Sequence, residues 1–269
     1  MGVYGEPAAG SPQVTADITK AYVCSRTLAS TDRLFNRDLG TAHVRILSQF
    51  FICDGKGDRI KTMKVLQIVA HPNRASFNHA IAATCSRVLT DNGHEVIAHD
   101  LYEEHFNPML PGAEFPRDAV LPAEVQRHCD EVSQADGIII VHPNWWGQPP
   151  AILKGWVDRV IRPGVAYEFL EGDKGEGVPC GLLKANCAII FNTSNTETIR
   201  EKTVFGDPLE AIWRNCVFGL CGVPTIHRRM FNIVVASSEA EREGWLSEVA
   251  ATTHRFFPKG SHRKRRSVP

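Results

Sequence analysis

The segment Lys64-Val-Leu-Gln-Ile-Val-Ala-His-Pro-Asn-Arg-Ala-Ser-Phe-Asn78 decides the fold of this chain. Its first part, Val65–Ala70, is the mostly apolar run expected of a strand buried on both faces, and a polar loop, His71–Ser76, follows. From Phe77 onward apolar residues recur at helical spacing, with Ser76 as a plausible N-cap. The first free N–H groups of that helix would point back over the strand end and favour an anion. The segment therefore predicts either a phosphate or nucleotide site or an ordinary strand-to-helix turn.

The alternation of strand and helix continues along the chain. We predict strands at 65–70, 95–99, 137–141, 187–191 and 230–235, and helices at 77–92, 123–133, 150–161, 207–222 and 238–256. In the fourth helix Asp207 would cap the first turn and Pro208 would open it. One apolar face of that helix would then comprise Leu209, Ile212, Trp213, Cys216, Val217 and Leu220. This pattern predicts an α/β fold, a doubly wound five-stranded parallel sheet with helices on both faces.

Composition narrows the function classes. The chain has 269 residues with 30 basic and 30 acidic side chains, so its net charge favours neither nucleic acid nor a membrane surface. No apolar run approaches the roughly 20 residues of a membrane span. The eight cysteines show no metal-binding spacing. Cys85, Cys187 and Cys216 lie on apolar faces and indicate reduced core thiols in a cytoplasmic protein.

Three segments differ in character along the chain. Residues 1–62 lack sustained periodicity and are interpreted as an N-terminal extension of marginal order. Residues 63–258 hold the strand and helix pattern and are expected to form one ligand-binding α/β domain. Residues 259–269 carry the run His262-Arg-Lys-Arg-Arg266 and are expected to be a basic disordered tail.

Three loops follow the carboxyl ends of predicted strands, at 71–78, 143–150 and 192–196. None has a carboxylate cluster, a Gly-x-Gly-x-x-Gly turn or a Walker sequence, so we expect no metal site, no Rossmann turn and no P-loop. They offer backbone donors, small polar side chains and the adjacent Trp145 and Trp146. Such an inventory suits a flat aromatic ligand that carries phosphate, and a flavin answers that description. The alternative for the two tryptophans is core packing beneath the next helix.

Several short motifs together resemble one family. They are Ala70-His71 with Ser76-Phe77-Asn78, Asp100-Leu-Tyr102 with Phe106-Asn-Pro108, Ala151-Ile-Leu-Lys-Gly-Trp156, Ala166-Tyr-Glu-Phe169 and Gly206-Asp207. Between residues 63 and about 235 the chain resembles the NAD(P)H:quinone oxidoreductases of flavodoxin-like fold, the DT-diaphorases. The resemblance implies FAD, or else FMN, as cofactor, NAD(P)H as hydride donor, a small quinone-like acceptor and a homodimer.

The resemblance also assigns roles to residues at matching positions. It places His71, Ser76, Phe77 and Asn78 around the phosphates and ribityl chain of the flavin. It places Pro143, Asn144, Trp145 and Trp146 beside the isoalloxazine ring, and Thr193, Ser194 and Asn195 along its pyrimidine edge. Tyr167 and Phe169 match aromatic residues that cover the substrate pocket across the dimer interface, although both could equally be core aromatics. No side chain is assigned with certainty as a catalytic acid or nucleophile.

Two positions depart from the family pattern. The tyrosine and histidine that the family places beside the flavin correspond to Ile199 and Phe205, which can donate neither a hydrogen bond nor a proton. This departure leaves open an alternative, a flavin-bound redox sensor or ancillary regulatory subunit with little turnover. A one-electron carrier of the flavodoxin type is a third alternative, disfavoured by the zero net charge.

Overall fold

The structure is a computed structural model, and it describes residues 62–169, 177 and 179–259. Nearly all of the expected N-terminal extension and of the expected basic tail lies outside these residues, so both expectations stay predictions. No described helix has the length and apolar character needed to cross a membrane.

A five-stranded parallel sheet forms the centre of the described fold. The strands in chain order are β1 (Lys64–Val69), β2 (Glu95–Asp100), β3 (Gly137–Pro143), β4 (Tyr167–Glu168), β5 (Cys180–Gly181), β6 (Cys187–Ser194) and β7 (Thr225–Asn232). The main sheet has the order β2-β1-β3-β6-β7, and β4 and β5 form a separate small antiparallel pair. Because the winding reverses between β1 and β3, their carboxyl ends flank the crevice where such sheets bind ligands. The predicted fold class is confirmed.

Helices cover both faces of this sheet. They are α1 (Phe77–Asp91), α2 (Ala123–Gln134), α3 (Ala151–Val160), α4 (Thr198–Thr203), α5 (Pro208–Ala211) with its π-helical continuation Ile212–Gly219, and α6 (Glu239–Phe256). Ser76 caps α1 as predicted, because its side chain accepts a hydrogen bond from the backbone N–H of His79. Helices α1 and α6 pack on one face, and α2, α3 and the π-helix pack on the other.

The central strand β3 shows why the core forms on both faces at once. Ile138 and Ile140 join the cluster beneath α2 and α3, whereas Ile139 and Val141 join the cluster beneath α1 and α6. All four side chains are fully buried, because successive residues of a strand point to opposite faces. A strand with both faces covered is therefore apolar throughout, which is the pattern read from the sequence.

Two strands, β6 and β7, differ from the prediction by three or more residues at an end. Strand β6 continues through Ser194, so Asn192 and Thr193 are buried strand residues and not loop residues. Strand β7 begins at Thr225, five residues before the predicted Met230, and ends at Asn232. Both strands carry polar residues at these ends, since the end of β6 lines a cavity and β7 is an edge strand with one side unpaired.

The helix that follows residue 207 also differs from the prediction. Its second part is π-helical, and the wider turn buries Trp213, Val217 and Phe218. Cys216 is consequently exposed, so its expected place in the core was wrong, whereas Cys85 and Cys187 are buried as expected. Asp207 precedes the helix at a positive φ of 48°, and its side chain makes no capping hydrogen bond.

Candidate functional site

The carboxyl ends of β1, β3 and β6 meet at a cavity of about 380 Å³. Because these three strands are neighbours in the sheet, the loops that follow them converge there. Predicted site residues supply most of its lining, namely His71, Ser76, Phe77, Asn78, Pro143, Asn144, Trp145, Thr193, Ser194 and Asn195. Thr196, Val234 and Val235 complete the lining. The two valines lie beyond β7, and no sequence motif pointed to them.

The N-terminus of α1 forms one wall of this cavity. Asn73 organises the preceding turn, since its side-chain oxygen accepts from the N–H of Ala75 at 2.9 Å and its carbonyl accepts from the N–H of Ser76 at 3.0 Å. Within the described residues, the backbone N–H groups of Phe77 and Asn78 have no hydrogen-bond acceptor, as expected in a first helical turn. The first turn of α1 therefore offers the cavity free N–H donors at the positive end of the helix dipole.

A buried amide–hydroxyl pair joins α1 to β6 beneath the cavity. The Asn78 side-chain nitrogen lies 2.9 Å from the Thr193 hydroxyl, which in turn lies 3.3 Å from the Asn78 side-chain oxygen. Both side chains are buried. The Thr193 hydroxyl engages one N–H and one lone pair of the Asn78 amide, and the pair fixes α1 against β6 beneath the cavity.

The loop after β3 presents Trp145 to the cavity. Trp145 and Gln148 exchange backbone hydrogen bonds of 3.1 and 3.0 Å across a turn, and both central residues of that turn, Trp146 and Gly147, have positive φ. Trp145 is 41% exposed and its ring centroid lies 6.0 Å from that of His71. Trp146 is 98% exposed at the turn tip and does not line the cavity. Neither tryptophan packs in the core.

Asn144 holds this loop in place. Its backbone N–H donates to the Thr193 carbonyl at 2.6 Å, its amide nitrogen donates to Glu201 at 2.9 Å, and its amide oxygen accepts from the N–H of Gly147 at 3.0 Å. Since both functional groups of the amide are used, Asn144 fixes the shape of the cavity wall and leaves Trp145 beside it.

A buried histidine lies beneath the cavity at the end of β3. The Nδ1–H of His142 donates to the Pro143 carbonyl at 2.8 Å, and its Nε2 accepts from Asn192 at 2.8 Å and from the Trp213 indole at 3.0 Å. Burial lowers the pKa of His142 to about 4, so the ring is neutral near pH 7. Arg228 also donates to Asn192, at 3.1 Å. No signal in the sequence indicated this network, because its members are far apart in the chain.

Among the described residues, the lining of the cavity carries no carboxylate, lysine or arginine. His71 is the one titratable side chain in that described lining, and burial lowers the pKa of its imidazole. An anionic group held here would rely on the N-terminus of α1 and on hydroxyl and amide donors, not on a cation.

Several residues that the sequence singled out lie away from the cavity. Tyr167 and Phe169 are half-buried, with ring centroids 5.9 Å apart in an edge-to-face contact, and Tyr167 packs on the core beneath α3. Ile199 and Phe205 are 65% and 48% exposed. None of the four lines the cavity of this single chain.

One group of metal-type ligands, His99, Glu104 and His128, lies between β2 and α2. The Trp156 indole N–H donates to Nδ1 of His128 at 3.2 Å. Since a neutral imidazole carries one proton, that proton must lie on Nε2, the atom that faces Glu104 at 3.6 Å. A protonated nitrogen has no lone pair for a metal ion, so we interpret this group as a polar cluster held by the hydrogen bonds of His99 to Glu104 and Glu131. Within the described residues, Nε2 of His128 and Oε2 of Glu104 have no hydrogen-bond partner.

Comparison with known proteins agrees with this fold. The family model described as flavodoxin-like fold matches residues 63–252. An uncharacterized NAD(P)H oxidoreductase of Haemophilus influenzae is 35% identical over 196 residues, which are 71% of this chain and 94% of that protein. The ribosyldihydronicotinamide dehydrogenase (quinone) of Pongo abelii is 28% identical over 210 residues, 68% of this chain and 87% of that protein.

A solved structure shows the same likeness. The Smu.1420 protein of Streptococcus mutans superposes with a TM-score of 0.62 at 30% identity, over 72% of this chain and 100% of that one. The family match spans most of the chain, and it coincides with the residues that build the sheet and the cavity. The chain therefore belongs to the flavodoxin-like fold family, alongside the NAD(P)H oxidoreductases and quinone dehydrogenases to which it is similar.

Proposed function

We propose that this chain is a flavin-dependent NAD(P)H oxidoreductase, which passes hydride from NAD(P)H through a bound flavin to a quinone or a similar acceptor. The observation that carries the proposal is the cavity at the β1–β3 crevice, which combines the free N-terminus of α1 with Trp145 and a polar edge at the end of β6. The names of the relatives from Haemophilus influenzae and Pongo abelii, an NAD(P)H oxidoreductase and a quinone dehydrogenase, support it.

The residues present fit a flavin. A phosphate group needs donors without competing carboxylates, and the free N–H groups of Phe77 and Asn78 beside Ser76 meet that need. An uncharged aromatic ring needs a flat apolar wall and a neutral lining, and Trp145 and the two valines after β7 provide them. The polar edge of such a ring would lie along Ser194, Asn195 and Thr196.

A bound flavin supplies the hydride chemistry itself. The residues of this chain would bind and orient it. Ser76 and the first turn of α1 would hold the phosphate, and Trp145 would cover the ring and exclude water from one side. His71 is neutral near pH 7 because burial lowers its pKa, so it would act as a hydrogen-bonding group without adding charge. His142, Asn192 and Trp213 would keep the floor of the cavity rigid.

We further propose FAD as the flavin, with FMN as the alternative, and a homodimer as the assembly. In a dimer, Tyr167 and Phe169 of each subunit would cover the substrate pocket of the other, which accounts for their distance from the cavity in one chain. Trp146 would find a covered position in the same assembly. A reducing, cytoplasmic location is proposed because all six cysteines in the described residues are free thiols.

One observation favours a second candidate function, a flavin-bound redox sensor. Ile199 and Phe205 are apolar and exposed, and no residue in the described lining is a strong proton donor. A protein that holds flavin without a proton donor beside it would turn over acceptors slowly.

An anaerobic titration tests these candidates. The protein is purified, its visible spectrum is recorded, NADPH or NADH is added, and menadione follows. Bleaching that menadione reverses supports the oxidoreductase, and a flavin spectrum that neither nicotinamide bleaches supports the sensor. Protein that binds neither FAD nor FMN would contradict both. Chromatography of the released flavin separates FAD from FMN, and a monomer with full turnover would contradict the dimer.

A further inference from the structure

Ser76 stands at one end of a line of three hydrogen-bonding side chains. Its hydroxyl oxygen lies 2.9 Å from Nδ1 of His79, and Nε2 of His79 lies 2.8 Å from a carboxylate oxygen of Asp100. Ser76 lines the cavity, whereas His79 and Asp100 lie behind it, on α1 and at the end of β2. Asp100 is itself held, because its other oxygen accepts from the backbone N–H groups of Tyr102 at 3.1 Å and Glu103 at 3.3 Å.

The protonation of His79 decides which way the Ser76 hydroxyl can point. An ionised Asp100 only accepts hydrogen bonds, so Nε2 of His79 carries a proton in both states. When His79 is neutral, its Nδ1 has a lone pair and accepts a hydrogen bond from the Ser76 hydroxyl. The hydroxyl then has no proton for the cavity, and its remaining lone pair would repel an anion.

The cationic state reverses this arrangement. Nδ1–H of His79 then donates to the Ser76 oxygen, which also accepts from the His79 backbone N–H at 3.4 Å. Both lone pairs of the hydroxyl are used, and its proton is free to turn into the cavity. The hydroxyl becomes a donor to an anion only when His79 holds a second proton.

We infer that His79 and Asp100 are positioning residues for phosphate at this site, and that binding of a phosphate-bearing ligand draws one proton from solvent onto His79. The inference rests on the proposed function, since a flavin phosphate is the anion concerned. Asp100 stabilises the imidazolium, and the imidazolium in turn aims the Ser76 hydroxyl. Ser76 itself would touch the ligand, and the other two act through it.

The surroundings of His79 allow such proton uptake. His79, Asp100 and three further titratable residues, His99, Glu103 and Glu104, line an open cavity of about 460 Å³ on the far side, which connects the ring to solvent. On the near side His71 faces His79 with ring centroids 6.4 Å apart. Burial lowers the pKa of His71, so that ring stays neutral and does not compete for the proton.

The neighbouring charges are largely paired already. Glu103 forms an ion pair with Arg74, and Glu104 lies 2.8 Å from Nδ1 of His99. Asp100 is therefore the carboxylate in direct contact with His79, and we assign to it the stabilisation of the His79 imidazolium.

The test compares two ligands that differ only in phosphate. FMN and riboflavin are titrated into the flavin-free full chain between pH 7 and pH 9, where the phosphate stays dianionic. We expect FMN to bind at least tenfold more weakly at pH 9 than at pH 7, and riboflavin to bind equally at both. Calorimetry in buffers of different ionisation enthalpy should show uptake of up to one proton per FMN and none per riboflavin.

Variants separate the positioning role from a structural one. His79→Gln should remove the pH dependence of FMN binding and leave riboflavin affinity unchanged, which also shows that the variant folds. Asp100→Asn should weaken FMN binding at pH 7 about tenfold, again without effect on riboflavin. His254→Gln, at an exposed histidine in the last turn of α6, is the matched control and should keep the wild-type pH dependence.

Nuclear magnetic resonance of the His79 ring at fixed pH gives an independent readout, since FMN should move its ring signals toward those of an imidazolium and riboflavin should not. If both ligands bind but FMN affinity is independent of pH, the inference is wrong and the proposed function stands. The same holds if FMN affinity changes with pH in His79→Gln as much as in the wild type. If only FAD binds, its affinity should show the same loss from pH 7 to pH 9, and a pH-independent FAD affinity would overturn the inference. If FMN, riboflavin and FAD all fail to bind, the proposed function fails and the inference fails with it.

Discussion

The Asn78–Thr193 pair allows a quantitative prediction about what holds α1 to β6. Thr193→Val replaces the hydroxyl by a methyl group of similar size. It leaves both polar groups of the buried Asn78 amide without their partner at 2.9 and 3.3 Å. Because an unsatisfied buried polar group costs about 1–3 kcal/mol, Thr193→Val should lower the free energy of unfolding by about that amount. In a domain of roughly 200 residues each kcal/mol lowers Tm by about 2–4 °C.

The assay is thermal and urea unfolding of flavin-free protein, so that ligand binding adds no stability. Thr90→Val is the matched control, because Thr90 is exposed on α1 and bonds only the Ser86 carbonyl of its own helix. We expect that control to change the free energy of unfolding by less than about 0.5 kcal/mol. The double variant Asn78→Leu/Thr193→Val removes the polar groups of both residues. It should therefore recover most of the free energy of unfolding that Thr193→Val loses.

Two results would refute this reasoning. In the first, Thr193→Val lowers the free energy of unfolding no more than Thr90→Val does, which would mean that the Asn78 amide finds another partner or water. In the second, the double variant lowers the free energy of unfolding by the sum of the two single-variant effects. Effects at independent sites add in this way, whereas effects at two residues in contact do not.

Three further predictions follow from the structure. Burial holds the pKa of His142 at about 4 and of His128 at about 3, so the unfolded chain binds more protons below about pH 6.5; the free energy of unfolding should fall toward pH 5 by up to about 1.4 kcal/mol per pH unit for each histidine. Urea unfolding at several pH values should show that the free energy of unfolding depends less steeply on pH in His128→Asn than in the wild type. An equally steep dependence would mean that His128 is not one of the histidines responsible. Gly155→Ala would place a methyl group 2.3 Å from a backbone oxygen and should cost about 1–3 kcal/mol, whereas Gly244→Ala in α6 meets open space and should be neutral or stabilising in the same melts. Trp145→Ala should weaken FMN binding about tenfold in fluorescence titrations and Trp145→Phe much less, since stacking needs only an aromatic face; equal losses would exclude stacking.

The exposed aromatic residues bear on the proposed assembly. Trp146 is 98% exposed at a positive φ, where a bulky side chain is strained, and Phe205 is also half-exposed. A strained, exposed tryptophan beside a cavity is explained if a second copy of the chain covers it. Sedimentation of the wild type and of Trp146→Ser would test the dimer directly, with a shift toward monomer expected for the variant.

Much of the site could be predicted from local patterns. The apolar run at 65–70, the N-cap Ser76 and the helical spacing after Phe77 are local features, and each reappears in the structure. Parallel strands must place their carboxyl ends at one edge, so three polar loops after three such strands predicted a shared cavity. Most of the lining was therefore foreseen from sequence.

Other features could be decided only by the tertiary structure. Asn78 and Thr193 are 115 positions apart, and His142 and Trp213 are 71 apart, so no local pattern records that their polar groups pair. The π-helical turn that exposes Cys216 arises because packing on the sheet overrides the regular helical spacing. Sequence periodicity determines which residues form strands and helices and which faces are apolar. Which distant polar groups satisfy one another, and hence which side chains remain free to meet a ligand, depends on how those elements pack.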